Sequence, residues 1–255
     1  MKKCGCGACA LLFLPVLLML ISPLRGHLGF CLGALTVVCA GAAFWASLRI
    51  VERQKGLLYK LLRVPWFYVS TGLGLWLAAE TVRLAHLALV GYLFRPSPAD
   101  AVWMLGYVFM LVGLYRCAVP ISSLANSAGL GGKLWAARLI PLALSIPLAV
   151  AVLAGSEEAA ARGLWAVVAM NAMRVAMDLV LLLLSLEEMV VFYGGGMAKS
   201  LALFSLGLAA MALSDLPYSL VGGYWPGNPL DALRVASYAL IALGVYSYSK
   251  QPLVV

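Results

Sequence analysis

Charge is what this chain has least of. Only 11% of its 255 residues are Asp, Glu, Lys or Arg, against about 25% in an ordinary soluble domain. No stretch is polar enough to cover a folded soluble body. A large soluble catalytic domain is therefore excluded, and with it a folded nucleic-acid-binding module. Histidine is nearly absent: His27 and His86 are the two in the chain. They stand at different depths, which argues against a haem held between them. No lysine occupies the middle of the last apolar run, so the retinal-binding pattern is missing. Period-two alternation is missing too, and the apolar runs are far longer than barrel strands.

What the chain has is apolar length. Sixty-four per cent of it is hydrophobic, and the mean hydropathy is +0.99. The fold class is an all-α integral membrane protein, a polytopic bundle in one domain, with the lipid bilayer as its partner. A hydrocarbon core of about 30 Å takes roughly 20 apolar residues of helix. Eight stretches fit, at 9–24, 28–48, 65–93, 101–121, 134–155, 163–186, 200–222 and 230–249. Breaks fall at Arg25-Gly26, at Pro96 and Pro98, from Gly129 to Gly132, at Gly155, from Gly194 to Gly196, and at Trp225 to Pro229. The first span also fits a signal peptide, with Lys2 and Lys3 ahead of it. Pro23, Leu24 and Arg25 follow it in place of a small-x-small cleavage site, which favours a retained helix. Cleavage would leave seven.

Lysine and arginine set the expected orientation. With the N-terminus inside, eleven lie on the inner side: Lys2, Lys3, Arg49, Arg53, Lys55, Lys60, Arg63, Lys133, Arg138, Lys199 and Lys250. Four lie outside: Arg25, Arg95, Arg162 and Arg234. The reading is a multi-pass protein of the cell membrane with both termini cytoplasmic. The net charge of +8 then reports topology rather than a polyanionic partner. Trp66, Phe67 and Tyr68 on the inner side, and Trp103, Trp165, Tyr224 and Trp225 on the outer, read as interfacial anchors.

The charges inside the spans carry the functional signal. Each costs at least about 2.5–3.5 kcal/mol at the bilayer centre, so each is expected to face the bundle interior and find a partner. They are Glu80, Arg83 and His86 on the third span, Arg116 on the fourth, Asn171, Arg174 and Asp178 on the sixth, and Asp215 on the seventh. Asn171, Arg174 and Asp178 fall at i, i+3 and i+7, on one helix face. Matching depths from the span midpoints suggests three pairs: Glu80–Arg174, Arg116–Asp178 and Arg83–Asp215. Arg174 can alternatively reach Asp178 at i+4. Arg83, His86, Asp215, Tyr218, Asp231 and Arg234 fall toward the outer half, where a polar cavity is the expected binding site. A network that only fixes helix order accounts for the same residues.

Other signals are weaker. Cys4, Cys6 and Cys9 lack a second cluster to complete a metal site. Ser127 stands where a phosphate loop ending at Lys133 needs its first glycine, and Leu134 stands where it needs Ser or Thr. Glu187-Glu188 lacks the histidines of a metalloprotease, and Asp178 and Asp215 lack the Gly-x-Gly-Asp setting of an intramembrane aspartyl protease. No metal, cofactor or enzymatic activity is expected.

The C-terminal third carries a resemblance. It reads Arg174-Val-Ala-Met-Asp178-Leu-Val-Leu-Leu-Leu-Leu, then Ala-Leu-Ser-Asp215-Leu-Pro-Tyr218-Ser, then Gly-Gly-Tyr-Trp-Pro-Gly-Asn-Pro-Leu-Asp231 before a last apolar run. This resembles the multi-pass membrane input region found ahead of PAS, histidine-kinase and GGDEF output domains in bacterial and archaeal signalling proteins. That family has a "P-x-x-D-L-L-L-L" helix, an "A-D-x-x-Y-S-Y" helix and a "G-x-Y-x-x-G-x-x-x-D" loop. From Arg174 onward, Asp178, Asp215, Tyr218, Gly227 and Asp231 fall on its recurring positions. Ser214 replaces the usual alanine and Leu220 the second tyrosine. With no output domain after Lys250, the resemblance implies a stand-alone sensory or ligand-binding module that signals through a separate partner. Pro217, beside Asp215, gives such a module a hinge. Two other readings compete. One is a secondary transporter or channel-like protein using the midplane charges, although no inverted repeat is visible. The other is a non-catalytic subunit of a membrane complex. Whether the chain forms a homo-oligomer stays open at this level.

Overall fold

The structure is a computed structural model. It describes residues 25–53, 60–90, 97–127, 129–161, 163–192, 196–220 and 229–251. These residues form seven helices and no strand: α1 (Arg25–Arg53), α2 (Lys60–Val90), α3 (Pro98–Ser127), α4 (Gly131–Ala161), α5 (Trp165–Val191), α6 (Gly196–Leu220) and α7 (Pro229–Lys250). They correspond one for one to the seven later expected spans. The expected first span, 9–24, lies outside the described residues, so the count shown is seven rather than eight. By their described residues, six helices, all but α4, are long and apolar enough to cross a membrane.

Helices are what such a sequence must form. In hydrocarbon every backbone N–H and C=O needs an internal partner. Local signals then set the ends. Pro98 and Pro229 open α3 and α7, at the position where a missing N–H costs nothing. Ser97 precedes α3, and Asp100 Oδ2 accepts from its backbone N–H at 2.7 Å. That reach back from the first turn is the logic of a capping box. Gly129 and Gly163, at φ 73° and 74°, make the left-handed turns before α4 and α5. Glycine takes that conformation without a Cβ penalty.

Neighbour relations define the architecture. α1 packs on α2 and α7, α2 on α3, α3 on α5, α5 on α6, and α6 on α7. These six helices close a ring. α4 stands outside it, chiefly against α5 and α6, with Trp135, Leu139, Ile140, Leu142, Ile146 and Val150 exposed on its surface. Glycine permits the closest approaches. A Cβ on Gly244 of α7 would lie 2.6 Å from the Phe204 backbone nitrogen and 2.8 Å from the Ser200 carbonyl oxygen of α6. Small residues at such seams are how membrane helices gain van der Waals contact.

Five ring helices turn a stripe with alternating spacings of three and four residues toward the interior. On α2 it is Trp66, Val69, Leu73, Trp76, Glu80. On α3 it is Asp100, Trp103, Tyr107, Met110, Leu114, Cys117. On α5 it is Asn171, Arg174, Asp178, Leu181, Ser185, Glu188. On α6 it is Leu201, Phe204, Leu208, Met211, Asp215. On α7 it is Asp231, Arg234, Tyr238, Ile241, Val245, Tyr248. Every one of these residues is buried. A mean step of about 3.5 residues keeps each stripe facing the same neighbours along the helix. All the charges of these stripes but Glu188 occupy one end, where α2 hands over to α3 and α6 to α7. Apolar side chains fill the middle.

Candidate functional site

The charged ends of the five stripes meet in one cluster. Glu80, 1% exposed, is its centre. Arg83 Nε donates to Glu80 Oε2 at 2.9 Å. The Tyr238 hydroxyl of α7 donates to Glu80 Oε1 at 3.3 Å, and Arg234 Nη1 stands 4.0 Å from the same oxygen. Arg83 Nη1 also lies 3.9 Å from Asp231 Oδ1. Arg234 Nη2 donates to Asp215 Oδ1, joining α7 to α6. Arg174 Nη2 donates to Asp100 Oδ1, joining α5 to α3. Tyr107 donates to Asp178 Oδ1 at 2.7 Å, a second α3–α5 tie.

Aromatic rings pack the floor of the cluster. Trp76 lies 4.9 Å from Tyr107 and 6.1 Å from both Trp103 and Tyr238, centroid to centroid. The guanidinium carbons of Arg174 and Arg234 each lie 4.6 Å from the Trp103 ring centroid. Beyond the rings, Met110, Leu181, Leu208, Met211 and Ile241 fill the ring's interior and are fully buried.

Five carboxylates and three guanidiniums share this space. Asp100, Asp215, Asp231 and Glu80 each have a guanidinium within 4.0 Å. Asp178 is the exception among the described residues. It is fully buried, yet its one hydrogen bond comes from a neutral hydroxyl, and its Oδ2 has no hydrogen-bond partner. Asp215 Oδ2 is also unpartnered. Asp178 and Asp215 lie within electrostatic reach of one another.

The structure revises the expected pairing. None of Glu80–Arg174, Arg116–Asp178 and Arg83–Asp215 is an ion pair among the described residues. Asp100, just outside the expected span 101–121, and Arg234, left out of the depth-matched pairs, are both buried, at 8% and 2% exposure. They take the partners assigned elsewhere. Arg116 leaves the cluster: it is exposed, with its guanidinium carbon 5.3 Å from the Tyr68 centroid. Asn171 is buried on the α5 stripe, and His86 is partly buried farther out on α2. Tyr218 lies in the last turn of α6, with its side chain outside the described residues.

Sequence reading missed Asp100, Trp103, Tyr107 and Tyr238 as cluster residues. Trp66 and Trp103, expected at the membrane interface, are inside the ring at 5% and 4% exposure. Trp165, at 66%, keeps an exposed position. The signal that could have found them is the alternating three-and-four spacing that puts Trp103 and Tyr107 in register with Asp100.

Among the described residues, no group of three His, Cys, Asp or Glu is arranged to hold a metal ion. No protein-family model, no curated protein and no solved structure matches the chain.

Proposed function

We propose that the protein is a membrane-embedded sensory or ligand-binding module that receives its stimulus at the charged cluster. One observation carries the reading. Asp178, Asp215 and Asp231, the three acids at recurring positions of the sensory input region that the C-terminal third resembles, come from three different helices and belong to one cluster. Arg83 and Arg234 tie two of them to Glu80.

The packing favours reception over passage. A transport route must open to each side in turn. Here the interior beyond the charges is occupied by four aromatic rings and then an apolar layer. A stimulus reaching the cluster from its own end changes which acid each arginine holds. Because every ion pair of the cluster but Arg83–Glu80 joins two helices, that exchange moves helices relative to one another. Orientation follows from the basic residues. With Arg234 in the ring interior, the outer count falls to three against eleven within. The cluster then faces outward, both termini are cytoplasmic, and the output partner meets the inner end.

Crosslinking in native membranes, followed by mass spectrometry of what travels with the protein, tests this. Recovery of a kinase, cyclase or comparable output protein is the expected result. Solute flux through reconstituted vesicles that Glu80→Gln abolishes, with no such partner recovered, would overturn it in favour of transport.

A further inference from the structure

The ring buries another acid far from the cluster. Glu188 lies on the α5 stripe, close to the C-terminal end of that helix. It stands almost three turns beyond Asp178, roughly 15 Å along the axis at the rise of an α-helix. It is 4% exposed, and its Oε1 has no hydrogen-bond partner. Among the described residues it forms no ion pair with Lys, Arg or His. The adjacent acid behaves differently. Glu187 accepts from Arg138 Nε of α4 at 2.6 Å, and that arginine side chain is 41% exposed. One acid of the pair meets the rim, and the other turns inward.

Among the described residues, the surroundings of Glu188 hold no engaged cation. From α2 comes Trp66, whose ring lies 4.8 Å from that of Tyr248 on α7. Tyr248 and Cys117 of α3 are both within electrostatic reach of Glu188. Of the described cations at this end, Arg116 lies over Tyr68, Lys250 lies over Tyr246, Arg53 donates to the Ser249 carbonyl oxygen, and Lys199 is exposed. On α6, Ser200 is 1% exposed and its Oγ has no partner.

An ionised carboxylate in this setting would carry its desolvation penalty with no compensating charge. A proton removes that penalty, and it fits where a larger cation would need room and ligands. We propose that Glu188 is a proton-binding site, loaded from the side of the membrane at which α5 ends, past the Glu187–Arg138 rim. Occupancy then governs how tightly the ends of α2, α3, α5 and α7 pack around it. This does not depend on the sensory reading, because the site lies at the opposite end of the ring from the charged cluster.

The test is labelling of the full-length protein in vesicles with a hydrophobic carbodiimide, which adds to a carboxyl group only with its proton. Mass spectrometry of the peptides locates the adduct. The expected result is modification at Glu188, falling several-fold from mildly acidic to mildly alkaline pH, with Glu187 unmodified. In sealed vesicles the yield should follow the pH of the side at which α5 ends. Absence of a Glu188 adduct at every pH, or a yield that ignores pH, overturns the proposal. A yield that follows the opposite side overturns the loading route. Infrared spectroscopy supplies a second measurement: Glu188→Gln should remove a protonated-carboxyl carbonyl band, and an unchanged spectrum counts against the site.

Discussion

Arg174 and Arg234 share one indole: each guanidinium carbon lies 4.6 Å from the centroid of Trp103. Two like charges on one ring repel. Each is held there by its own acid, Arg174 by Asp100 and Arg234 by Asp215. Trp103 is therefore the point where the α3–α5 and α6–α7 ion pairs meet. A cation held against a desolvated indole is worth about 2 kcal/mol. Trp103→Leu removes that attraction from both arginines and also leaves a void. Trp103→Phe keeps a ring, with a weaker attraction. We expect Trp103→Leu to be the more destabilising by about 1–2 kcal/mol, as read from thermal unfolding in nanodiscs. Equal losses would mean that the ring acts by volume alone.

The Arg234–Asp215 pair should behave as a unit. Removing one partner of a buried pair leaves the other uncompensated, at a cost of about 3–5 kcal/mol. Asp215→Asn and Arg234→Met are each expected to destabilise on that scale. The double variant should cost less than their sum, by about 1–3 kcal/mol. A double-mutant cycle of unfolding free energies measures the difference. Strict additivity would show that the two side chains do not act on each other.

Asp178 should tolerate what Asp215 does not. Its partner is the Tyr107 hydroxyl, and among the described residues it forms no ion pair with a guanidinium. Asp178→Asn keeps an acceptor for Tyr107 and strands no cation. It is expected to cost less than about 1 kcal/mol, well below Asp215→Asn. Tyr107→Phe removes the one donor and should cost about 1–3 kcal/mol, the usual penalty for stranding a buried acceptor. Thermal melts of the three variants side by side decide the order. An Asp178→Asn loss as large as that of Asp215→Asn would place a cation on Asp178.

The spans were legible because apolar length is a local property, and the helices fall close to the expected ranges. Inwardness of the charges was legible for Glu80, Arg174, Asp178 and Asp215, since hydrocarbon leaves a charge few alternatives. Pairing was not legible. It depends on which helices are neighbours, and no single helix carries that information. The ring places α3 beside α5 and sets α4 outside, so Asp100 meets Arg174 from a helix that is not adjacent in sequence. Asp100 was also hidden by a second role. It stands in the first turn of α3, where an acid is favoured on local grounds alone. Arg116 misled for the opposite reason: a long side chain in a span can cover an aromatic ring at the surface without entering the core.

Glycine-to-alanine exchange gives a prediction whose sign reverses between the α6–α7 seam and α4. Gly207 and Gly244 face the partner backbone. A Cβ on Gly207 would lie 2.8 Å from the Ile241 nitrogen and 2.9 Å from the Ser237 carbonyl oxygen, and a Cβ on Gly244 would meet Phe204 and Ser200 at 2.6 and 2.8 Å. These are main-chain atoms, so no rotamer change can relieve the contact and the helices must separate. Gly207→Ala and Gly244→Ala are each expected to destabilise by about 1–3 kcal/mol. Gly132, in the first turn of α4, has nothing within 4 Å of its added Cβ. There alanine restricts the unfolded chain and suits the helix, so Gly132→Ala should be neutral or stabilising by about 0.4–1 kcal/mol. Separation at Gly207 carries a further consequence. The residue its Cβ would strike, Ser237, is one turn from Arg234, whose reach to Asp215 depends on the same spacing. Gly207→Ala combined with Asp215→Asn should therefore cost less than the sum of the two, whereas Gly244→Ala, farther along the seam, should add to Asp215→Asn without coupling. Unfolding midpoints of the four single variants and two doubles separate a seam that positions the ion pair from one that only packs.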